Sequence, residues 1–295
     1  MFEKLFTKIT IICLVALSFP STGYSATEVN NKIVSGTWFE LNSTVMGEKR
    51  RYAVHLPPSY DRNKDKKYPV LYLLDGGTTN MRGISGMVES LSYYDLSQQI
   101  PEFILVAIPN TNRSRDLTPT KTDLTFKGNV LDKLADNSGG ADKFANFIRT
   151  ELFPKINADF RTTSKRGILG MSFGGLFAAH IMITQPDMFN DYLISDATFV
   201  WDDNYLNRTL EKTQQKLSDQ KIKAFIGLAN NDHLGELGVT NRQWGNDFIQ
   251  ALKKINNKNL IVTSKYFPKE QHGTVMFLAY YYGLIDLFKQ TRAAQ

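Results

Sequence analysis

The chain has almost no cysteine: among its 295 residues only Cys13 is one. A thiol nucleophile, a thiolate metal centre and an internal disulfide are therefore excluded for everything that follows it. Histidine is scarce as well, the four being His55, His180, His233 and His272. They form no His-Glu-x-x-His motif, and no calcium-loop spacing occurs, so no metal is expected. Beyond the N-terminus no stretch reaches the ~20 apolar residues of a membrane span. A strong charge of one sign is also missing. The formal balance is +6, and the densest basic clusters, Glu48-Lys49-Arg50-Arg51 and Lys64-Asp65-Lys66-Lys67, each contain an acid, so no nucleic-acid partner is expected. Gly76-Gly77 and Gly139-Gly140 lack the lysine and spacing of a phosphate loop, and no cofactor is expected. There is no repeat and no low-complexity tract.

What is present is ordinary for a globular protein, with 42% hydrophobic and 22% charged residues. The first 25 residues stand apart. Lys4 and Lys8 precede an apolar run from Ile9 to Phe19, then Pro20 and small polar residues, with Gly23 and Ser25 suited to cleavage before Ala26. Residues 1–25 thus read as a secretory signal peptide, a retained anchor being the alternative, and residues 26–295 as one periplasmic or secreted domain without stable membrane insertion. Without disulfides that domain must be held by its core, which this length supplies. The oligomeric state is not encoded in any pattern.

Strand and helix patterns alternate along the exported part. Residues 32–56 read as β structure, with Tyr52, Val54 and Leu56 alternating against Ala53 and His55. Continuous apolar runs follow at 68–74, 103–108, 167–169, 192–195, 224–228 and 260–267; such runs, rather than alternation, mark strands covered on both faces. Between them lie helical stripes, Phe144, Phe147, Ile148, Leu152 and Ile156 being one and Trp244, Phe248, Leu252 and Ile255 another, and the apolar segment 275–288 closes the chain. This order predicts an α/β fold, a mostly parallel sheet with helices on both faces and an antiparallel N-terminal extension. Residues 120–140 read as a polar loop, either a lid or a surface excursion.

The most informative stretch is Gly170-Met171-Ser172-Phe173-Gly174, between an apolar strand and a small-residue helix. Strand, sharp turn and helix are the setting of a nucleophile elbow, whose flanking glycines permit the turn that lifts the serine above the sheet. A serine alcohol needs a base and an orienting acid. Both occur after later strand ends, Asp232 in Asn230-Asn231-Asp232-His233 and His272 in Glu270-Gln271-His272-Gly273, in the chain order Ser…Asp…His that this architecture uses. Ser172, Asp232 and His272 are therefore the expected triad, with Glu236 and, further off, Asp247 as alternative acids. The oxyanion donors are expected at the amide of Phe173 and, after the 68–74 strand, at Gly77. Arg113 and Arg115 follow another strand end. A guanidinium there suits an anionic part of the substrate, Arg113 being the choice, unless an arginine pairs with Asp116 to order its own loop.

The chain resembles a known family. Arg51-Tyr-Ala-Val-His-Leu-Pro-Pro-Ser-Tyr60, Tyr68-Pro-Val-Leu-Tyr-Leu-Leu-Asp-Gly76, and Glu151-Leu-Phe-Pro-Lys-Ile-Asn-Ala-Asp-Phe-Arg161 running into the elbow are similar to the putative-esterase (esterase D-like) branch of the α/β-hydrolases, over residues 35–290. The resemblance implies that fold, a Ser-His-Asp triad at the same three positions, and a small-molecule ester as substrate. The family includes siderophore trilactone, feruloyl and acetyl-xylan esterases, S-formylglutathione hydrolase and mycolyl transferases. Ser195-Asp196-Ala197-Thr198 departs from the Ser-Pro-Ser that many members carry there. The expected activity is hydrolysis of a carboxylic ester through an acyl-enzyme, with a siderophore ester favoured. Acyl transfer to an acceptor other than water, and a non-catalytic binding protein on a hydrolase scaffold, are the alternatives.

Overall fold

The computed structural model describes residues 34–93 and 98–289. The expected signal peptide, with Cys13, lies outside the described residues. Ten strands are formed among them: β1 (Thr37–Ser43), β2 (Glu48–His55), β3 (Tyr68–Leu73), β4 (Ile104–Ala107), β5 (Leu124–Phe126), β6 (Asn129–Asp132), β7 (Thr162–Met171), β8 (Asp191–Ser195), β9 (Ile222–Ala229) and β10 (Leu260–Phe267). Eight of them make one sheet in the order β1-β2-β4-β3-β7-β8-β9-β10. From β4 to β10 all neighbours are parallel, while β1 and β2 add an antiparallel edge. The β pattern expected over residues 32–56 is thus two strands, split where Gly47 turns back with φ +73° and donates its amide to the Ser43 carbonyl.

Both faces of the sheet are covered, as continuous apolar strands require. In β3, Val70 and Tyr72, with Leu74 just beyond, join the core on one face, whereas Leu71 and Leu73 join the core on the other. The second face is packed by α1 (Thr78–Ser92). The first is packed by α2 (Arg113–Leu117), α3 (Ala141–Phe147), α4 (Phe153–Asp159), α5 (Phe173–Thr184), α6 (Tyr205–Thr213) and α7 (Glu236–Lys253), and α8 (Val275–Phe288) returns to the second. Every residue of helix α5 from Phe173 to Ile183 is buried and all but His180 are apolar, as suits a helix enclosed on all sides. Pro69 sits inside β3, and the β3–β7 register shifts between Tyr68 and Val70, where proline has no N–H for the ladder.

The strand order places the chemistry. β3 is followed by β4 on one side, and the chain then crosses to β7 on the other. At such a switch point the loops after neighbouring strands part and leave a crevice at the carboxyl edge. Helix α2, beside that crevice, is fixed by a buried ion network. Arg50 donates to Asp116 (2.6 Å) and Glu48 (2.9 Å), Arg115 donates to the same two carboxylates, and Arg50 and Asp116 are each 1% exposed. Residues 120–140, expected as a polar loop, contain instead the β5–β6 hairpin. Its turn residues Lys127 (φ +50°) and Gly128 (φ +79°) both have positive φ, the two-residue hairpin geometry that matches strand twist.

At the opposite edge Asp191 opens β8 and is buried, which pushes its carboxyl up to about 6 even though Lys223 and Lys165 oppose the shift. The unfolded chain releases that proton near the usual 3.8, so folding takes up a proton between these values and stability falls as pH rises through them. Asp191→Asn is expected to stabilise the fold by on the order of 2–3 kcal/mol at pH 7 and to lose that advantage below about pH 4. Thermal melts of both proteins at the two pH values check this; an equal gap at both would contradict it.

Candidate active site

The strand β7 ends at Met171 and α5 begins at Phe173, leaving Ser172 alone in the turn at φ +58°, ψ −121°. A side chain tolerates that conformation only under constraint, and the surroundings supply it. The Ser172 amide donates to the Ser195 carbonyl (3.1 Å), and its own carbonyl accepts from Leu176 (2.8 Å). A Cβ at Gly170 would overlap the Gly174 carbonyl oxygen, and one at Gly175 would press on Ala197 at 3.0 Å. Gly170 and Gly175 are there because β7, α5 and the loop after β8 meet without room for a methyl group.

His272 follows β10, and its ring Nδ1 lies 2.6 Å from Asp196 Oδ2. Asp196 directly follows β8 and is fully buried. Its carboxylate also accepts from the Ala229 amide (3.0 Å) and from Asn231 Nδ2 (2.9 Å). With two N–H donors already aimed at it, this carboxylate acts as an acceptor, so the imidazole donates through Nδ1 and keeps its Nε2 lone pair free. Asn231 completes the frame, since its Oδ1 accepts the backbone amide of His272 (2.8 Å).

The structure pairs His272 with Asp196 and not with the expected Asp232. Asp232 is turned outward, its carboxylate 2.6 Å from Arg242 Nη1 and its side chain 53% exposed. Glu236, the alternative, pairs with Lys127 at the hairpin turn. The loop after β9 therefore contributes Asn231, while the carboxylate that meets His272 comes from one strand earlier. The signal in the sequence is Asp196 in place of the proline that the family resemblance implies, but spacing alone favours the later loop. Among the described residues no hydrogen bond joins the Ser172 hydroxyl to His272. The two side chains nevertheless line the same two cavities, and catalytic hydrogen bonds commonly close only when substrate is bound.

Two of the other histidines lie away from the crevice. His180 is buried between Asp142 (3.1 Å) and the Tyr205 hydroxyl (3.0 Å), and burial lowers the pKa of His55 from its usual value.

The Phe173 amide is at the first helical position of α5, where no intrahelical acceptor exists. Gly77 differs from expectation. Its amide donates to the Asp75 carbonyl (2.8 Å) in a three-residue turn, and the Gly76 amide donates to Ile108 (2.9 Å). Arg113 bridges the two sides. It forks Asp75 through Nε (2.7 Å) and Nη2 (3.0 Å), while its guanidinium lies over the Phe173 ring, 5.1 Å from the centroid. Asn110 also donates to Asp75 (2.5 Å). Arg115, by contrast, orders its own loop by pairing with Asp116 and Glu48. Three non-glycine residues with positive φ, Asp75, Ser172 and Asp196, thus follow three strands around one crevice, the kind of clustering that marks a working site.

Two cavities reach Ser172 and His272. One, of about 340 Å³, is bordered by Asp75, Asn80, Arg113, Met276 and Tyr280; the other, of about 200 Å³, has Leu124, Leu131, Val200, Leu234 and Leu237 among its walls. A larger one, of about 380 Å³, lies at the amino ends of the strands among Lys165, Lys223 and Lys258 and touches none of these residues. Among the described residues no cluster of His, Cys, Asp and Glu suits a metal ion, and no helix is long and apolar enough to cross a membrane.

Comparison with known proteins gives the same family that the sequence motifs suggest. Residues 43–254 match the family described as Putative esterase. A crystal structure of an IroE-like serine hydrolase from Shewanella oneidensis is 33% identical and superimposes with a TM-score of 0.79, covering 86% of this chain and 80% of that one. The ferri-bacillibactin esterase BesA of Bacillus subtilis is 27% identical over 63% of this chain and 65% of its own length. The apo-salmochelin esterase of Escherichia coli O6:H1 is 24% identical over 75% of this chain and 69% of its own. An uncharacterised Bacillus subtilis protein, YbbA, is matched over 53% of its length, so the chain spans 53% to 69% of the length of these three curated relatives.

The arrangement separates the two aspartates experimentally. Asp196→Asn is expected to slow covalent labelling of Ser172 by a fluorophosphonate roughly a thousand-fold or more, by favouring the wrong imidazole tautomer. Asp232→Asn removes only an exposed ion pair and should leave the labelling rate within about five-fold. Rates followed by gel fluorescence check both; the reverse pattern would restore Asp232 as the acid.

Proposed function

Because the chain belongs to the putative-esterase family of the α/β-hydrolases, we propose that it hydrolyses carboxylic esters through an acyl-enzyme on Ser172. The observation that carries this reading is the buried Asp196 carboxylate bonded to His272 at the mouth of the crevice holding the strained Ser172. In the first step His272 Nε2 takes the Ser172 hydroxyl proton as Oγ attacks the ester carbonyl carbon. The C=O electron pair moves onto oxygen, and the Phe173 amide donates to that oxyanion. The Gly77 amide joins it by leaving the bent bond to Asp75. Collapse of the intermediate breaks the bond to the alcohol, which departs with the proton from the imidazolium, leaving Ser172 acylated. Water then repeats the sequence, giving its proton to His272, and the acid is released as Ser172 regains a hydrogen.

Asp196 keeps the imidazole in the tautomer that can accept a proton and balances its positive charge in each half-reaction. Arg113 has most of its fork committed to Asp75, so its part is to border the polar cavity, beside the substrate's polar portion, rather than to offer a free fork. The relatives named as ferri-bacillibactin and apo-salmochelin esterases support a siderophore ester as the natural substrate. A signal peptide over residues 1–25 would place the reaction in the periplasm or outside the cell.

Purified protein and a Ser172→Ala variant, treated with a fluorophosphonate and with p-nitrophenyl acetate, test the chemistry. Labelling and turnover are expected in the parent, with turnover at least ~10⁴-fold lower and no labelling in the variant. Ester hydrolysis unchanged in the variant would remove Ser172 from the mechanism. Chromatography of a ferric trilactone siderophore after incubation addresses the substrate, linear fragments being the expected product.

A further inference from the structure

The smaller of the two cavities at Ser172 differs in character from its neighbour. Its apolar walls are Leu124 and Leu131 of the β5–β6 hairpin, Val200 after β8, Leu234 just before α7 and Leu237 in its first turn; the polar liners Asn231 and Asn241 already have their amides bonded within the protein, and His272 is its only titratable lining residue. Leu131 and Leu234 are large aliphatic side chains left 47% and 48% exposed on either side of it. A lone exposed leucine means little, but these two border a cavity that ends at the candidate nucleophile. The hairpin is held opposite α7 by the pair between Lys127 and Glu236, and its tight turn leaves little freedom in how Leu131 is presented. A charged group entering here would lose water and find no counter-ion, whereas the other cavity offers Arg113 and Asp75. The volume of about 200 Å³ is below that of sites which enclose a drug-sized ligand, so it fits one arm of a molecule and not a whole large substrate.

We propose that this cavity is the specificity pocket for a neutral apolar arm of the ester, a short alkyl chain or single ring, with Leu131 and Leu234 as the determinants. This rests on the ester-hydrolase reading above. The polar portion of the substrate then lies on the Arg113 side, so the hairpin selects substrates with one apolar and one polar end.

The test is a slope. kcat/KM is measured for p-nitrophenyl acetate, butyrate, hexanoate, octanoate and decanoate, and in a second series for acetates of the matching linear alcohols. In one series the parent is expected to gain about four-fold per methylene until the cavity is full, and to lose activity beyond that length. Leu131→Asp and Leu234→Asp are each expected to flatten the climb to less than about two-fold per methylene. The slope is a ratio within one protein, so a general loss of folded or active enzyme does not change it, and thermal melting reports the folded fraction. Slopes in the two variants equal to the parent's, or a parent flat in both series, would overturn the pocket while leaving ester hydrolysis standing. A parent that neither turns over any ester nor takes up a fluorophosphonate would overturn both readings.

Discussion

The carboxylate of Asp196 is the constraint around which the crevice is organised. It is buried, and it is held by a main-chain amide from Ala229, a side-chain amide from Asn231 and the imidazole of His272. Burying a charge without partners is very costly, so these donors have to stay where they are. Three loops, after β8, β9 and β10, are thereby fastened to one side chain. The result is an imidazole whose free nitrogen faces the crevice and whose ring cannot turn without leaving a buried carboxylate short of a donor. Histidine orientation and tautomer follow from the same set of bonds.

The opposite wall is fastened by comparable means. Arg113 forks Asp75 after β3 and lies over the ring of Phe173 at the start of α5, linking the two segments expected to supply oxyanion donors. Arg113 is itself on α2, which the Arg50–Asp116 pair anchors to β2. The strained backbone of Ser172 lies between these two supported walls. Cores and ion networks built elsewhere in the molecule hold the strain in place, in keeping with its concentration at working sites.

Much of this was legible in the sequence because the patterns were local. The continuous apolar run before Asp75 requires a strand covered on both faces, and the Gly170-x-Ser-x-Gly174 pattern marks a sharp turn, with no room for a Cβ at Gly170. His272 is legible because it follows the last strand and comes after Ser172 in the order this architecture uses. The parts that were not legible depend on distance. Asp196 and Asp232 both follow strands that end at the same rim, and only the three-dimensional arrangement shows that one is enclosed with the imidazole while the other meets Arg242 in solvent. The hairpin over residues 124–132 was hidden because its strands are only three and four residues long and mostly exposed, giving no apolar period to read. The turn that engages the Gly77 amide is centred on Gly76, and a Gly-Gly pair permits it without announcing it.

The bond between Asp196 and His272 is the central claim, and ¹⁵N NMR of histidine-labelled protein measures it directly, with the His272 signals assigned by their loss in His272→Gln. The predicted result is a ring protonated at Nδ1 and bare at Nε2, with a far-downfield Nδ1 proton that vanishes in Asp196→Asn. A ring protonated at Nε2, or an Nδ1 proton indifferent to Asp196→Asn, would contradict it.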